Sequence, residues 1–191
     1  NFEDNNYRVL SVAGYDLMES RSEPRTKRPV KNLQLYEFEG CPFCKKVREA
    51  VTLLDLDVVF FPCPKDGPVY REKVKEMGGK YQFPYLVDPN FDVQLYESDD
   101  IIDYLFDTYA EPGEFVPKSL KNPATTITAA LSLLPRFNSG TTYTAQSRVE
   151  KAKPTEPVVL WGYEASPFVK IVREKLNELE IPFLLKTCAR G

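Results

Sequence analysis

The amino-acid sequence predicts an α/β domain built on a small mixed sheet with helices on its faces. Three stretches predict it. Residues 33–63 read as strand, helix and strand, residues 85–96 as a β-hairpin, and the residues after Ser98 as a closing helix. A crossover through a helix makes two strands parallel, whereas a tight turn makes them antiparallel, so four strands in this order give a mixed sheet.

Each element has its own signal. Leu33 to Phe38 alternates apolar and polar residues, as a half-buried strand does. After a turn, Val47, Val51 and Leu54 recur at helical spacing, and Val58 to Phe61 is a second apolar strand. The loop PCPKDGP follows, then Val69 to Met77 with helical composition and Gly78-Gly79 as its stop. Tyr85 to Asp88 enters a strand, Pro89-Asn90 turns, and Val93 to Tyr96 pairs back. Ser98 is a good N-cap, Asp99 and Asp100 suit a first turn, and Ile101, Ile102, Leu105 and Phe106 form an apolar face.

Chemistry concentrates where the first strand hands over to the first helix, at Cys41-Pro42-Phe43-Cys44. Free backbone N–H groups and the helix dipole favour an anion at a helix start, so a Cys41 thiolate is stabilised there. Pro42 suits the first helical position because its missing N–H costs nothing. Cys44 lies one turn on and is placed to attack a mixed disulfide on Cys41. Lys45 and Lys46 add positive charge nearby. Two other readings of the pair stand beside redox chemistry: half a zinc site, in a chain with no His to complete it, or two inert cysteines at a helix start.

Residues 33–109 resemble the thioredoxin fold in its glutaredoxin form, which is also the N-terminal domain of glutathione transferases. The resemblance rests on the CPFC pair, on Phe83-Pro84 behind it and on Glu97-Ser98 at the head of the last helix. It implies a cis proline facing the cysteines and a Glu-Ser pair that binds the γ-glutamyl end of glutathione. It implies a glutathione-dependent thiol–disulfide oxidoreductase with Cys41 and Cys44 catalytic, and with Phe83, Pro84, Glu97 and Ser98 binding glutathione. Its partners would be disulfide or glutathionylated proteins. The alternative is a non-catalytic binding or assembly subunit of a larger complex, holding glutathione or an iron–sulfur cluster at Cys41. Free amides at the Ser98 helix start suit a carboxylate, and a plain helix cap is the competing reading of Glu97-Ser98.

Residues 35–63 align with 160–188 at a constant offset of 125, with 10 identities in 29 positions. Leu160, Glu164, Pro167, Phe168, Lys170, Val172, Arg173, Glu174, Leu179 and Cys188 match their counterparts. Such self-similarity implies a duplicated supersecondary unit. Ser166 stands where Cys41 does and Val169 where Cys44 does, so residues 158–191 read as a partial second copy without a nucleophile, Ser166 serving as an N-cap. A lone β-α-β piece cannot bury its sheet, so it packs on the first domain or another chain, or the natural chain continues; continuation is the expectation. The tandem pattern resembles plant plastid proteins with two such domains, which implies a reducing, chloroplast location.

Residues 1–32 read as an N-terminal arm, with a short helix around Tyr15 to Glu19 and a basic, extended tether through Arg21, Arg25, Lys27, Arg28 and Lys31. Residues 110–157 read as a linker, with a candidate apolar stripe at Ile127, Ala130, Leu131 and Leu134, and with Asn138 to Thr144 polar and mobile. They are too few and too polar for the helical domain of a glutathione transferase, which counts against conjugation chemistry. The net charge of −3 offers nothing global to nucleic acid, and no apolar run approaches the ~20 residues that span a bilayer. Four cysteines in 191 residues do not make a disulfide scaffold, and their spacing points to a reducing compartment.

Overall fold

The computed structural model describes residues 27–122, 139–144 and 154–187, together with the backbone of two strands at 6–12 and 15–20. Those two strands, β1 (Asn6–Val12) and β2 (Tyr15–Ser20), pair antiparallel, with a register shift between Arg8 and Leu10. The expected helix over Tyr15 to Glu19 is therefore a strand. A five-residue helix has too few internal hydrogen bonds to offset its nucleation, whereas a neighbouring strand supplies a full ladder. The residues nearest the domain are not a free tether either. Lys31 exchanges backbone bonds of 2.8 Å with the Asn90 side chain, and Arg28 pairs with Asp55.

The main sheet is built around β3 (Leu33–Glu37). It runs parallel to β4 (Val58–Pro62) and antiparallel to β5 (Tyr85–Asp88), which pairs in turn with β6 (Val93–Leu95). The crossover from β3 to β4 is α1 (Pro42–Leu53); α2 (Tyr70–Gly78) and α3 (Ser98–Tyr109) follow β4 and β6. Gly79 closes α2 with φ +81°, a left-handed cap that glycine adopts without steric cost.

The apolar pattern decides which face each helix covers. Leu33 and Leu35 of β3 point one way, with Val47, Ala50, Val51 and Leu54 of α1 and Ile101, Ile102 and Leu105 of α3. All are 1% exposed or less. Each such side chain contributes roughly 1.5–3 kcal/mol by leaving water. Tyr36 points the other way, into a smaller cluster with Cys63, Val74 and Tyr85.

The expected four-stranded sheet has six strands. After the short α4 (Lys118–Lys121) the chain forms β7 (Val158–Gly162), α5 (Pro167–Glu178) and β8 (Phe183–Thr187). β8 joins β4 antiparallel, giving the order β6-β5-β3-β4-β8-β7. Backbone groups along β4 and β8 satisfy each other, so neither strand is left as an unpaired edge. Val59 faces Leu184, flanked by Val58↔Leu185 and Phe60↔Phe183. At the sequence offset of 125, Val58 corresponds to Phe183 and Phe60 to Leu185. The ladder thus maps onto itself when the two β-α-β units are exchanged, about a local two-fold axis between Val59 and Leu184. Beside that axis the Phe60 and Phe183 rings stack, 5.0 Å apart and 2° from parallel.

Residues 139–144, expected to be mobile, are pinned to this body. Lys65 N–H donates to Thr141 O at 2.6 Å, Tyr143 N–H to Lys65 O at 2.9 Å, and Thr144 N–H to Glu178 O at 3.0 Å. The apolar stripe of the linker and Cys188 lie outside the described residues.

Candidate functional site

The two cysteines hold unlike positions at one helix start. Cys41 is the N-cap of α1, with extended backbone at φ −88° and ψ 119°, and Pro42 is the first helical residue. Its sulfur accepts the backbone N–H of Cys44 at 3.3 Å. Cys41 is 5% exposed and Cys44 is fully buried, while Phe43 between them is half exposed.

This geometry splits their acidities. Hydrogen bonding from the Cys44 thiol, with backbone N–H groups of Cys44 and Phe43, holds the Cys41 thiol below its ordinary value, against burial and the Glu37 carboxyl. Burial pushes the Cys44 thiol well up, and its role as donor to Cys41 pushes it further. Of the two sulfurs, Cys41 gives up its proton the more readily and Cys44 holds its proton the more tightly.

The expected lysine support is absent. Lys46 is buried and paired with Asp99 of α3, and Lys45 lies 3.8 Å from Glu49 on its own helix. Their charge is matched by carboxylates, so the raised acidity of Cys41 rests on hydrogen bonds at the helix start.

The other predicted residues form an arc beside this point. The Phe83–Pro84 peptide bond is cis. The Phe83 ring meets Phe38, three residues before Cys41, edge-on at 6.1 Å. The Arg71 guanidinium lies 4.8 Å above the Phe83 ring and 5.7 Å above the Phe38 ring, while its Nε donates to the carbonyls of Cys63 and Pro64. Gln82, next to Phe83, donates to the Glu97 carboxylate. Contacts therefore run from Phe38 through Phe83 and Gln82 to Glu97, and Lys46–Asp99 ties α1 to the head of α3.

One cap differs from expectation by a residue. Glu97, not Ser98, is the N-cap of α3; Ser98 is its first helical residue and is buried. Glu97 has φ +64°, a left-handed value that costs a non-glycine residue about 1–3 kcal/mol, and no side chain caps the helix there.

Sequence reading missed a buried charge cluster behind the cysteines. Glu37 and Glu39 precede Cys41, Arg48 comes from α1, Glu164 follows β7 and Arg173 comes from α5. Arg48 pairs with Glu37 and bonds Glu164 at 3.0 Å. Arg173 bonds Glu39 at 3.0 and 3.1 Å and lies 2.9 Å from Glu164. Three carboxyls thus face two guanidiniums. Burial pushes the Glu37 carboxyl up to about 7 in spite of Arg48, while Arg48 and Arg173 overcome the burial of Glu39 and hold it below the usual carboxylate value. A proton on Glu37 balances the cluster. A sequence signal for it existed: Glu39 and Arg48 recur as Glu164 and Arg173, nine residues apart in both units, although Cys41 and Cys44 do not recur.

Cys63 is fully buried between Tyr36, Val74 and Tyr85, and burial pushes its thiol well up. Among the described residues no group of three or more His, Cys, Asp or Glu side chains is arranged to hold a metal ion, and no helix is long and apolar enough to cross a membrane.

Residues 35–113 match the family model described as glutathione S-transferase, N-terminal domain. That match spans the cysteine-bearing domain, which is similar to that family. A solved glutathione transferase of Bombyx mori, BmGSTD1, is 24% identical over 58% of this chain and 48% of its own, with a TM-score of 0.42. Glutaredoxin 2 from Salmonella typhimurium in complex with glutathione is 20% identical over 76% of this chain and 60% of its own, with a TM-score of 0.39. The transferase URE2P6 of Phanerochaete chrysosporium in complex with oxidised glutathione is 20% identical over 79% and 64%, with a TM-score of 0.40. The chain spans about half the length of the first of these. No curated protein matches the chain.

Proposed function

We propose that this protein is a glutathione-dependent thiol–disulfide oxidoreductase that uses Cys41 and Cys44. The single observation that carries this reading is the asymmetry of the pair: an N-cap sulfur accepting an N–H at 3.3 Å beside a buried thiol whose acidity is pushed the opposite way.

The reaction balances on these two sulfurs and glutathione. The Cys41 thiolate attacks the glutathione sulfur of a glutathionylated protein; the S–S bond breaks and the protein thiolate leaves and takes a proton. Cys44 then loses its proton and attacks Cys41, forming the Cys41–Cys44 disulfide and releasing glutathione. Two further glutathione thiols reduce that disulfide and leave as oxidised glutathione.

The residues of the arc fit glutathione. Its γ-glutamyl end carries an ammonium and a carboxylate. The uncapped N–H groups at the start of α3 suit the carboxylate, and Glu97, Asp99 and Asp100 around them suit the ammonium. Phe83, whose ring meets Phe38 three residues before Cys41, and Pro84 beside it would take the middle of the tripeptide. The setting we propose is a reducing, organellar compartment, the plastid that the sequence resemblance implies.

The test is reduction of a glutathione mixed disulfide by the purified chain with glutathione and its reductase. Cys41→Ser is expected to abolish turnover, and unchanged activity in that variant overturns the reading. One observation favours a second reading, a non-catalytic binding or assembly module: Cys41 is only 5% exposed. That reading predicts glutathione binding in the wild-type chain without turnover, and the same assay separates the two.

A further inference from the structure

Glu39 stands two residues before Cys41 in the loop that leads into α1. Its carboxylate accepts two parallel hydrogen bonds from Arg173, at 3.0 and 3.1 Å, the fork geometry that fixes a carboxylate in direction as well as place. Its backbone N–H donates to the side-chain oxygen of Asn177 at 3.3 Å, and the Asn177 amide is itself held by donating to Arg173 O at 3.2 Å. Both partners lie on α5, outside the domain that carries the cysteines. Glu39, Arg173 and Asn177 are all 1% exposed or less.

The linker closes the same loop from another side. Gly140 has φ +77°, and a Cβ there would stand 2.8 Å from Glu174 Cα and 3.0 Å from Glu39 Cβ. Thr141 packs against Gly40 and is bonded through its carbonyl to Lys65. Cys41 in turn donates its N–H to Phe38 O at 3.1 Å, so a shift at residue 39 is passed to the cap that orients its sulfur.

We propose that Arg173 and Asn177 are positioning residues for Cys41: the cysteine-free unit holds the nucleophile's loop and so sets the reactivity of a thiol it does not contain. The proposal rests on Cys41 being the nucleophile of the reaction above. Two effects act in one direction. A loosened Glu39 lets the Cys41 sulfur drift from the Cys44 N–H, and a weaker guanidinium partner leaves more negative charge near a sulfur that must become negative. The charged groups facing that region are Glu37 from β3, Glu39 and Glu164 from the two loops, Arg48 and Cys44 from α1, and Lys170 and Arg173 from α5.

The experiment is iodoacetamide alkylation of the reduced full chain from pH 5 to pH 9, with the rate at Cys41 read by peptide mass spectrometry. Arg173→Lys keeps the charge and loses the fork; Asn177→Ala removes the acceptor for Glu39 N–H. Phe183→Leu is the control, because it loosens the same pair of units at the ring stack without touching the loop. Arg173→Lys is expected to move the midpoint up about one unit and slow alkylation near neutral pH about tenfold. Asn177→Ala is expected to slow it about threefold, as a small misplacement of a reacting group does. Phe183→Leu is expected to lower the melting temperature and leave the alkylation curve within about twofold of wild type.

Unchanged curves in both α5 variants overturn the proposal. So does a Phe183→Leu curve displaced as far as that of Arg173→Lys, which makes the effect one of docking alone. Should Arg173→Lys lose its cooperative melt, Asn177→Ala decides by the same criterion. A wild-type chain with a low alkylation midpoint but no mixed-disulfide turnover sinks the proposed function and leaves the positioning intact. Full turnover with variant curves like wild type does the reverse.

Discussion

The two β-α-β units share a backbone plan and differ in what fills it. In each, a proline opens the helix, and the residue before it is an extended cap, at φ −88° and ψ 119° for Cys41 and φ −74° and ψ 118° for Ser166. Cys41 accepts the N–H of Cys44 at 3.3 Å, and Ser166 that of Val169 at 3.4 Å. Both pairs of parallel strands keep one register, Leu33↔Val58 and Val158↔Phe183 at their starts. A hydroxyl is therefore sufficient for the cap, and the fold does not require a thiol at Cys41. The covering differs as well. Leu33 and Val47 are fully buried in the core that α3 closes, whereas the corresponding Val158 and Val172 are 40% and 44% exposed. What the units share most closely is charge at the axis between them, Glu39 and Arg48 on one side, Glu164 and Arg173 on the other.

The hardest way to break that symmetry is to remove a guanidinium. Arg48→Met leaves Glu37, Glu39 and Glu164 buried around a single remaining cation, and is expected to cost about 3–5 kcal/mol in urea unfolding at neutral pH. Arg173→Met removes the partner of two carboxylates, Glu39 and Glu164, and is expected to cost less than Arg48→Met. A loss below about 1 kcal/mol for Arg48→Met would show that the cluster contributes little to joining the units.

A second difference is that Gly162 stands where the first unit has Glu37, so the acid whose proton balances the cluster belongs to one unit alone. Its folded-state value is raised from 4.5 to about 7. A raised value means that the native state holds the proton longer than the unfolded chain does. The stability this contributes is fully present below pH 4.5 and is lost as pH rises through 7. Wild type should lose on the order of 1–3 kcal/mol relative to Glu37→Gln across that window, measured as the pH dependence of the difference between them. Parallel curves would mean that Glu37 is already ionised in the folded protein. Glu39 has the opposite sign: its value is depressed, so its contribution disappears on acidification.

Local signals were legible in the sequence; long-range partners were not. The strands and helices of residues 33–109 follow from periods of two and of 3.6 that neighbouring residues set by themselves. The cap of α3 was displaced by one residue because Ser98 is the better capping side chain, whereas the backbone turns at Glu97, bonded by Gln82. The β1–β2 hairpin was misread because strand pairing is decided by a partner, and residues 15–19 alone offered a helical composition. The union of β4 with β8 depends on shape that no local window carries. Nothing in a local window marks Arg48 and Arg173 as buried, since charged side chains are seldom buried unless paired.

A smaller effect separates the two caps. Ser166→Ala removes a side-chain acceptor from the start of α5 and is expected to cost about 1 kcal/mol. Cys41→Ser replaces one acceptor by another and is expected to leave stability within about 0.5 kcal/mol while abolishing turnover. Thermal unfolding of both variants beside the mixed-disulfide assay checks the pair. A Cys41→Ser protein that melts as low as Ser166→Ala would tie the thiol to the fold and undo the contrast.

The smallest effect expected is at Cys63. It follows β4 directly, at the same end of the sheet as the loop that carries Cys41, so a role as a third redox sulfur has to be weighed. Three observations oppose it. Its side chain is enclosed by Tyr36, Val74 and Tyr85 on the face that α2 covers, not at the start of α1. Its sulfur is directed to Phe61 O, its own strand's carbonyl, at 3.4 Å. Burial and the Glu37 carboxyl both hold it as a thiol, and a thiol does not attack a disulfide. Arg71 lowers its value but spends its Nε on the carbonyls of Cys63 and Pro64. Cys63→Ser should therefore leave mixed-disulfide reduction within about twofold, small beside the tenfold that 1.4 kcal/mol of barrier represents. Mass spectrometry of the air-oxidised chain should find Cys41 linked to Cys44. A dominant bridge from either of them to Cys63 would show that the α2 face opens during the reaction, and would bring a third sulfur into the mechanism.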